Sequence, residues 1–391
     1  MKETTLTFPG FIDVHVHFRD PGVPEAETTA SGLAAAARGG FAAVVTMPNT
    51  TPACDSPEAV RRQREVKVKG EGEGEGEQRT VLFPSACITK GRLGKEVADL
   101  EALAEAGAAF FTDDGSYVAD DKVMEEAMGR IAVLNMVVCQ HAMDPAELKG
   151  GVIRDCALAR KLALPTISVA TETKAIRRDL SLVRETGCRL HVQHISTAEG
   201  VALVRDAQRE GLPVTAEATP HHLLLTCDDI PDDSSPTPSS SLLTLNSSFY
   251  KMAPPLGNRE DRAELRRAVK DGVLMFATDH APHPAAKKSQ GFATSANGII
   301  GLETAIPITY AVMVEEEGMP VDAWAKAWHS LPLDILASPA SCLKSLPPTT
   351  VVIGDERVVD VSSFASLSRN CPYGGMKFRC WPDASRGQML V

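Results

Sequence analysis

The chain of 391 residues is 43% hydrophobic and 23% charged, which suffices for one large core, and it has no apolar run of the ~18 residues that a membrane crossing needs. Its formal net charge of −11 speaks against nucleic acid as a partner. Nine cysteines without a Cys-X-X-Cys pair, behind a start (Met1-Lys2-Glu3-Thr4-Thr5) that lacks a signal-peptide core, argue against a disulfide frame and for reduced thiols in the cytoplasm.

The first element, Phe11 to Phe18, alternates with Asp13, His15 and His17 on one face and Val14, Val16 and Phe18 on the other. Two imidazoles on one strand face, about 7 Å apart along the chain, can converge on one metal ion; alone, His-X-His is also a plain polar strand end. The pattern then repeats. Apolar, β-rich runs stop at residues of metal-ligand or catalytic type in Val44 to Asn49, Val81 to Thr89, Ala109 to Asp114, Met136 to His141, Arg189 to His194, Pro213 to His222 and Val273 to His283. Helix-like stretches lie between them: Thr28 to Arg38, Pro57 to Val66, Glu96 to Ala106, Lys122 to Leu134, Thr197 to Arg209 and Arg259 to Lys270. Ser56-Pro57-Glu58 is a helix start, and Gly39-Gly40, Gly107, Gly187, Gly211 and Gly272 stand where helices stop before the next strand.

Strand then helix, repeated eight times, predicts an α/β fold, a (β/α)8 barrel over residues 1–346. Reactive groups of that fold gather at the carboxyl ends of the strands, where these polar residues fall. Two stretches read as solvated loop insertions: 67–80, with its Gly-Glu tract from Gly70 to Glu77, and 231–248, rich in Ser, Asp and Pro. From about Pro347 the helical pattern gives way to short β-like pieces, Val351 to Gly354 and Arg357 to Val361, so residues 347–391 read as a β/coil tail packed on the barrel.

Six separated motifs resemble the dihydroorotases of the cyclic amidohydrolase superfamily, in that family's order: Pro9 to Gly22, Met47-Pro48-Asn49-Thr50, Phe111-Thr112-Asp113-Asp114-Gly115, Thr219-Pro220-His221-His222-Leu223, Ala277 to His283 and Gly298 to Ala305. The resemblance implies a zinc hydrolase with one or two Zn2+ per chain. His15 and His17 would hold one ion with Asp279, and His141 and His194 a second. Asp114 would stand where many relatives bridge the ions with a carboxylated lysine; by spacing alone Asp113 is its rival. Opening a cyclic amide at neutral pH needs an activated water and a polarised carbonyl, both of which a metal supplies. Asp279 would be catalytic, moving the proton from that water to the departing ring nitrogen. Arg19 shares the parity of His15 and His17 and offers a bidentate fork for a substrate carboxylate. Asn49 and His283 would join it, while Asn297 and Gly298 would meet the pyrimidine edge.

Other polar residues read as framework. His191, opposite in parity to His194, is expected to pack behind the barrel; His221 and His222 orient ligands or only support structure; His280 and His329 support structure; Asp13 is a framework carboxylate. The chain departs from the family at Met143, Ala253 and Gly257. Only ten residues precede the first strand, so the family's β-sandwich companion is expected to be absent or reduced to tail strands.

Three functions compete. The first is the reversible hydrolysis of L-dihydroorotate to N-carbamoyl-L-aspartate in pyrimidine biosynthesis. The second is an allantoinase or dihydropyrimidinase activity, whose substrates lack the ring carboxylate that Arg19 would face. The third is a non-catalytic scaffold for a transcarbamoylase, disfavoured by the complete ligand set. The partner expected is a small-molecule substrate, with a homodimer or an association with a transcarbamoylase open beside it.

Overall fold

A computed structural model describes residues 3–64, 80–232, 247–337 and 346–383. The Gly-Glu tract and most of the 231–248 loop lie outside these residues. Parallel strands β2 (Phe11–Val16), β3 (Phe41–Thr46) and β4 (Val81–Pro84) form one sheet, and β5 (Val137–Gln140), β6 (Arg189–Val192), β7 (Val214–Ala218) and β8 (Met275–Phe276) another. Two seams join them into a ring. Phe111 bridges Ala86 on one side and Val138 on the other, and Val16 bridges His280. Bonds from Ala109 N to Pro84 O (2.8 Å), Phe111 N to Val137 O (3.0 Å) and His17 N to His280 O (2.8 Å) complete the closure. The expected (β/α)8 barrel is present, and its fourth stave is so short that it is held only by these isolated bridges.

An apolar cluster of Ile12, Val14, Ala43, Val45, Phe83, Phe110, Val137, Cys139 and Met275 draws on the first five staves and the eighth. A larger one packs the staves against the surrounding helices. Phe11 and Phe41, at the amino ends of β2 and β3, and Phe276 on β8 meet the buried indoles of Trp324 and Trp328 at ring distances of 5.0–5.3 Å. That packs the helix Val321–Trp328 against adjacent staves with aromatic contacts.

The helices form where periodicity and caps place them. Thr29–Arg38 starts from a Thr28 capping box, Ala198–Arg209 from a Thr197 cap and Arg259–Lys270 from an Asn258 capping box. The longest described helix, Ala170–Thr186, is not among the sequence-read segments. Its buried face opens with Thr171, Glu172 and Thr173, which hides the apolar period, because Glu172 accepts bonds from Ser196 N (2.8 Å), Ser196 Oγ (2.6 Å) and Thr197 N (3.1 Å) at the start of the next helix. Thr219-Pro220-His221-His222, read as a strand end, starts the helix Pro220–Leu224, with Thr219 as cap and Pro220 in the first turn.

Residues 4–8, counted with the barrel in the sequence reading, pair elsewhere. Strand β1 (Thr4–Phe8) runs antiparallel to β9 (Thr349–Val358), which also pairs with β10 (Lys377–Pro382) in a three-stranded sheet. The two β-like pieces of the tail are thus one strand. No helix among the described residues is long and apolar enough to cross a membrane.

Across the second seam, Asp13 accepts from Thr278 N (3.0 Å), Thr278 Oγ1 and His15 N (3.2 Å). Burial pushes its carboxyl up to about 7 against these bonds. Asp13→Ala would orphan the buried Thr278 groups at ~1–3 kcal/mol each, so urea unfolding is expected to show a loss of about 2–4 kcal/mol; a loss below about 1 kcal/mol would mean that the seam does not depend on this carboxylate.

Candidate metal centre

At the carboxyl end of the barrel, β2 and the loops after the fourth, fifth, sixth and eighth staves deliver His15, His17, Asp114, His141, His194 and Asp279 to one buried cluster. Ligand atoms of His15, His17 and Asp279 lie within 4.8 Å of one another, as do those of His15, Asp114 and His194. Asp114 is the hub. One of its oxygens is 3.3 Å from His15 Nε2, 3.5 Å from His141 Nδ1 and 3.6 Å from His194 Nε2, and the other is 3.3 Å from His17 Nε2. Asp279 Oδ1 sits 3.1 Å from His17 Nε2 and 3.6 Å from His15 Nε2. His141 Nδ1 and His194 Nε2 approach to 2.8 Å.

Asp113 faces elsewhere. It accepts from Ile88 N (2.9 Å), Thr89 N (3.2 Å) and the Thr89 hydroxyl, tying the third stave's loop to the fourth. The choice that spacing left open therefore falls to Asp114.

These residues fit a divalent cation. His15 Nε2 and Asp114 Oδ1 are fully buried and have no hydrogen-bond partner among the described residues. Such orphaned groups are costly unless something polar meets them. Burial by itself would raise both carboxyls, yet the His15 charge and the close imidazoles hold Asp114 well below the usual carboxylate range, and the His17 bond with the His15 charge does the same to Asp279. Carboxylate and imidazole donors gathered in one dry cluster are a donor set for a divalent cation.

The imidazoles are oriented from behind. Glu217, fully buried on β7, lies 2.6 Å from His15 Nδ1 and 2.9 Å from His191 Nε2, and accepts from His194 N at 3.1 Å. Burial opposes its ionisation, but His15 and His191 hold its carboxyl down to about 2. A carboxylate on Nδ1 makes His15 an Nε2 ligand. For His17 the partner is Asn49, whose Oδ1 is 2.9 Å from Nδ1. His191 is therefore not behind the barrel as parity suggested. The strand ends at Val192, and a left-handed backbone at His194 (φ 32°) turns that side chain inward although His191 already faces the interior.

Other residues stand as follows. His222 bonds Thr219 Oγ1 (2.8 Å) and Pro254 O (3.1 Å), supporting the loop that carries Ala253. The His280 ring accepts from Gly301 N (3.1 Å) and faces Glu27 (3.3 Å), turned away from the cluster although the residue adjoins Asp279, and His329 lies 2.7 Å from Gly10 O. A Cβ at Gly257 would fall 2.7 Å from the Asp261 Cβ, so the close seating of Asp261 goes with the glycine there.

A cavity of about 320 Å³ opens over the cluster, lined by His17, Arg19, Asn49, Arg92, Asp114, Gly115, His141, His194, Ala253, Asp279, Ala281, His283, Asn297 and Gly298. All five residues expected to contact substrate are on its wall. The half-buried Arg19 has one hydrogen bond among the described residues, Nε to Pro282 O at 3.4 Å. Burial and the Arg19 charge push His283 down to about 3, so it is neutral, and its Nε2 lies 2.6 Å from Asn297 O. Sequence reasoning missed Glu217, although a Glu inside a barrel strand is itself a signal. It also missed Arg92, which carries none; that guanidinium bonds the carbonyls of Asp113 and Asp114 and the Ser116 hydroxyl, fixing the turn that presents Asp114.

A parallel eight-stave barrel with an imidazole and carboxylate cluster at its carboxyl mouth defines a metal-dependent hydrolase of the cyclic amidohydrolase class. Residues 4–200 match the dihydro-orotase-like family model. A dihydroorotase of Bacillus caldolyticus is 40% identical over 385 residues, covering 96% of this chain and 84% of that protein. One from Listeria innocua serovar 6a is 40% identical over 384 residues, covering 97% and 85%. The chain belongs to the dihydroorotase family. Among solved structures, an L-hydantoinase (dihydropyrimidinase) of Arthrobacter aurescens superposes with a TM-score of 0.77 at 23% identity, over 97% of this chain and 83% of that one. A Saccharomyces cerevisiae dihydroorotase in complex with 5-fluoroorotic acid gives 0.72 at 17% identity, over 97% and 98%. At these identities the two agree in fold.

Glu217→Gln keeps the volume but turns an amide N–H toward an imidazole N–H. Loss of such a supporting bond typically costs 10–100-fold in metal affinity, so chelator competition followed by elemental analysis is expected to show weaker metal retention of about that size. Retention equal to the parent's would remove Glu217 from the orienting role.

Proposed function

We propose that the chain interconverts L-dihydroorotate and N-carbamoyl-L-aspartate, with zinc as its metal. The observation that carries this is Arg19, a half-buried guanidinium on the cavity wall, with Asn49 and His283 on the same wall and no carboxylate bonded to it among the described residues. Asp279 and Asp114 attract this guanidinium from a distance without bonding it, so its fork of donors is left for a ligand carboxylate. Hydantoin, dihydrouracil and allantoin present no such group.

The proposed ligands of one ion are His15, His17 and Asp279, and those of a second are His141 and His194, with Asp114 shared between them. When bound, the metal polarises the ring amide carbonyl and brings the pKa of water from 15.7 to about 7. Histidine and carboxylate donors suit zinc. The chain's own residues do the rest. Arg19 takes the ring carboxylate in a two-pronged grip, while Asn49 keeps its Oδ1 on His17 and turns its Nδ2 to the cavity. Asp279, held ionised, accepts the proton of the attacking water and returns it to the ring nitrogen as the C–N bond breaks. His283 stays neutral and adds no competing charge. Asn297 and Gly298 face the pyrimidine edge. The barrel, within residues 1–346, is the catalytic domain in this reading, and the tail from residue 347 packs on it together with Thr4–Phe8, which pair with β9. The free, buried state of Cys54, Cys87, Cys139 and Cys156 supports a reducing, cytoplasmic setting.

Ring opening measured with dihydroorotate and the three carboxylate-free rings, with and without chelator, tests the assignment. Dihydroorotate is expected to be fastest and the chelated protein inactive; faster opening of a carboxylate-free ring would replace the assigned substrate. Truncating one partner of a buried charge pair costs ~2–5 kcal/mol, so Arg19→Met should lose about 30-fold or more in kcat/KM for dihydroorotate at unchanged metal content. Asp279→Asn is expected to lower turnover by ~10² to 10⁴-fold; near-parental turnover would move the proton transfer to another group.

A further inference from the structure

The wall that would meet substrate is built from two loops, one after β8 carrying His283 and one carrying Asn297 and Gly298. An isolated parallel bridge between His280 and Ile299, a bond from Ala281 N to Ile299 O (2.7 Å) and the contact of His283 Nε2 with Asn297 O (2.6 Å) join them at single points. A buried side chain of the tail spans both loops as well. Asn370 Nδ2 donates to Ala281 O (3.0 Å) and Gly298 O (3.1 Å), its Oδ1 accepts from His283 N (3.2 Å), and its own carbonyl accepts from Ile300 N (3.1 Å). The amide has one orientation here, because two carbonyls need N–H donors and one N–H needs an acceptor. Two residues earlier, Ser368 Oγ bonds Ala26 O (2.7 Å) and His283 O (3.1 Å), holding the segment in place.

The second loop has little other freedom. Lys288, buried without a carboxylate, points Nζ at Gly298 O (2.9 Å), Ala296 O (2.9 Å) and Lys251 O (3.2 Å). Gly298 O thus receives two donors, one from the barrel side and one from the tail. Gly298 itself has φ 125°, and a Cβ there would stand 2.6 Å from that of Ala281, so the two loops touch as closely as backbones allow.

We propose that Asn370 is a positioning residue of the substrate site: the tail supplies an amide that, together with the direct contact of His283 and Asn297, holds the spacing of His283 and the Asn297–Gly298 edge, and so the width of the slot the ring enters. Hydrogen bonds that hold a binding wall within a fraction of an ångström act on affinity, and a misplacement of about 1 Å costs up to ~10²-fold. Of the metal cluster only Asp279, two residues before Ala281, shares a loop with this bridge, and His15, His17, Asp114, His141 and His194 come from other staves.

The inference rests on the proposed reaction, so the parent enzyme is assayed first, and steady-state kinetics of Asn370→Asp and Asn370→Ser follow. The aspartate keeps the acceptor for His283 N–H but sets an oxygen against two carbonyls; the smaller, neutral serine is the variant that tolerates folding best. Both are expected to raise KM for dihydroorotate at least about ten-fold, with kcat within about three-fold and metal per chain equal to the parent's. A purely structural role would reduce the active fraction, which lowers apparent kcat and leaves KM alone. An unchanged KM in soluble, metal-loaded Asn370→Ser overturns the inference. A parent that prefers a carboxylate-free ring overturns the proposed reaction only, and KM for that ring then decides the role of Asn370, since the same edge faces any ring in the slot.

Discussion

The site depends first on one buried carboxylate, Glu217. An imidazole is a defined metal ligand only when one nitrogen is committed elsewhere, and Glu217 commits His15 while also anchoring the His194 backbone and the His191 ring. It comes from β7, which contributes nothing else to the cluster, and so couples β2, β6 and β7 through a single group. Because the group is dry, each of these bonds is electrostatically strong and each would be expensive to lose. Asp114 then shares the front of the cluster among imidazoles from three staves.

Backbone strain concentrates at the same place. Arg19 (φ 56°), His194 (φ 32°) and Asp279 (φ 48°) occupy the left-handed region that non-glycine residues avoid. All three follow the regular end of a strand and turn a side chain toward the cluster or the cavity. Packing around the mouth over-determines them: Val16 bridges His280 beside Asp279, and Glu217 pins the His194 amide. Strain of this kind persists where surrounding structure resists its release, and here it aims functional groups that strand geometry alone would misdirect.

The small antiparallel sheet of β1, β9 and β10 is more than an appendage. It returns the chain to the barrel so that 366–370 runs beside the loops after β8. Ser366 bonds Glu27, which lies 3.3 Å from His280, and Asn370 spans the two loops of the cavity wall. The chain's last described strands and its first stave therefore meet at one rim, and the shape of the cavity belongs to the whole described fold.

Much of this was legible in the sequence. Apolar runs of strand length ending in His, Asp or Asn, separated by capped helical stretches, carry the barrel and the identity of its polar mouth, because burial and backbone period act over a few neighbouring residues. What local pattern could not carry is direction. Parity extended past Val16 and Val192 placed His191 wrongly and was the wrong reason for the aim of Arg19, since both strands end before the residues in question and the chain turns through positive φ. Asp113 and Asp114 are equivalent by spacing; the bonds of Asp113 to Ile88 and Thr89, and the imidazoles gathered round Asp114, separate them. The helix Ala170–Thr186 stayed hidden because Glu172 is buried by a cap it provides to another helix. Glu217, Arg92 and Asn370 act across long sequence separations, where which groups meet is decided by closure of the barrel and return of the tail.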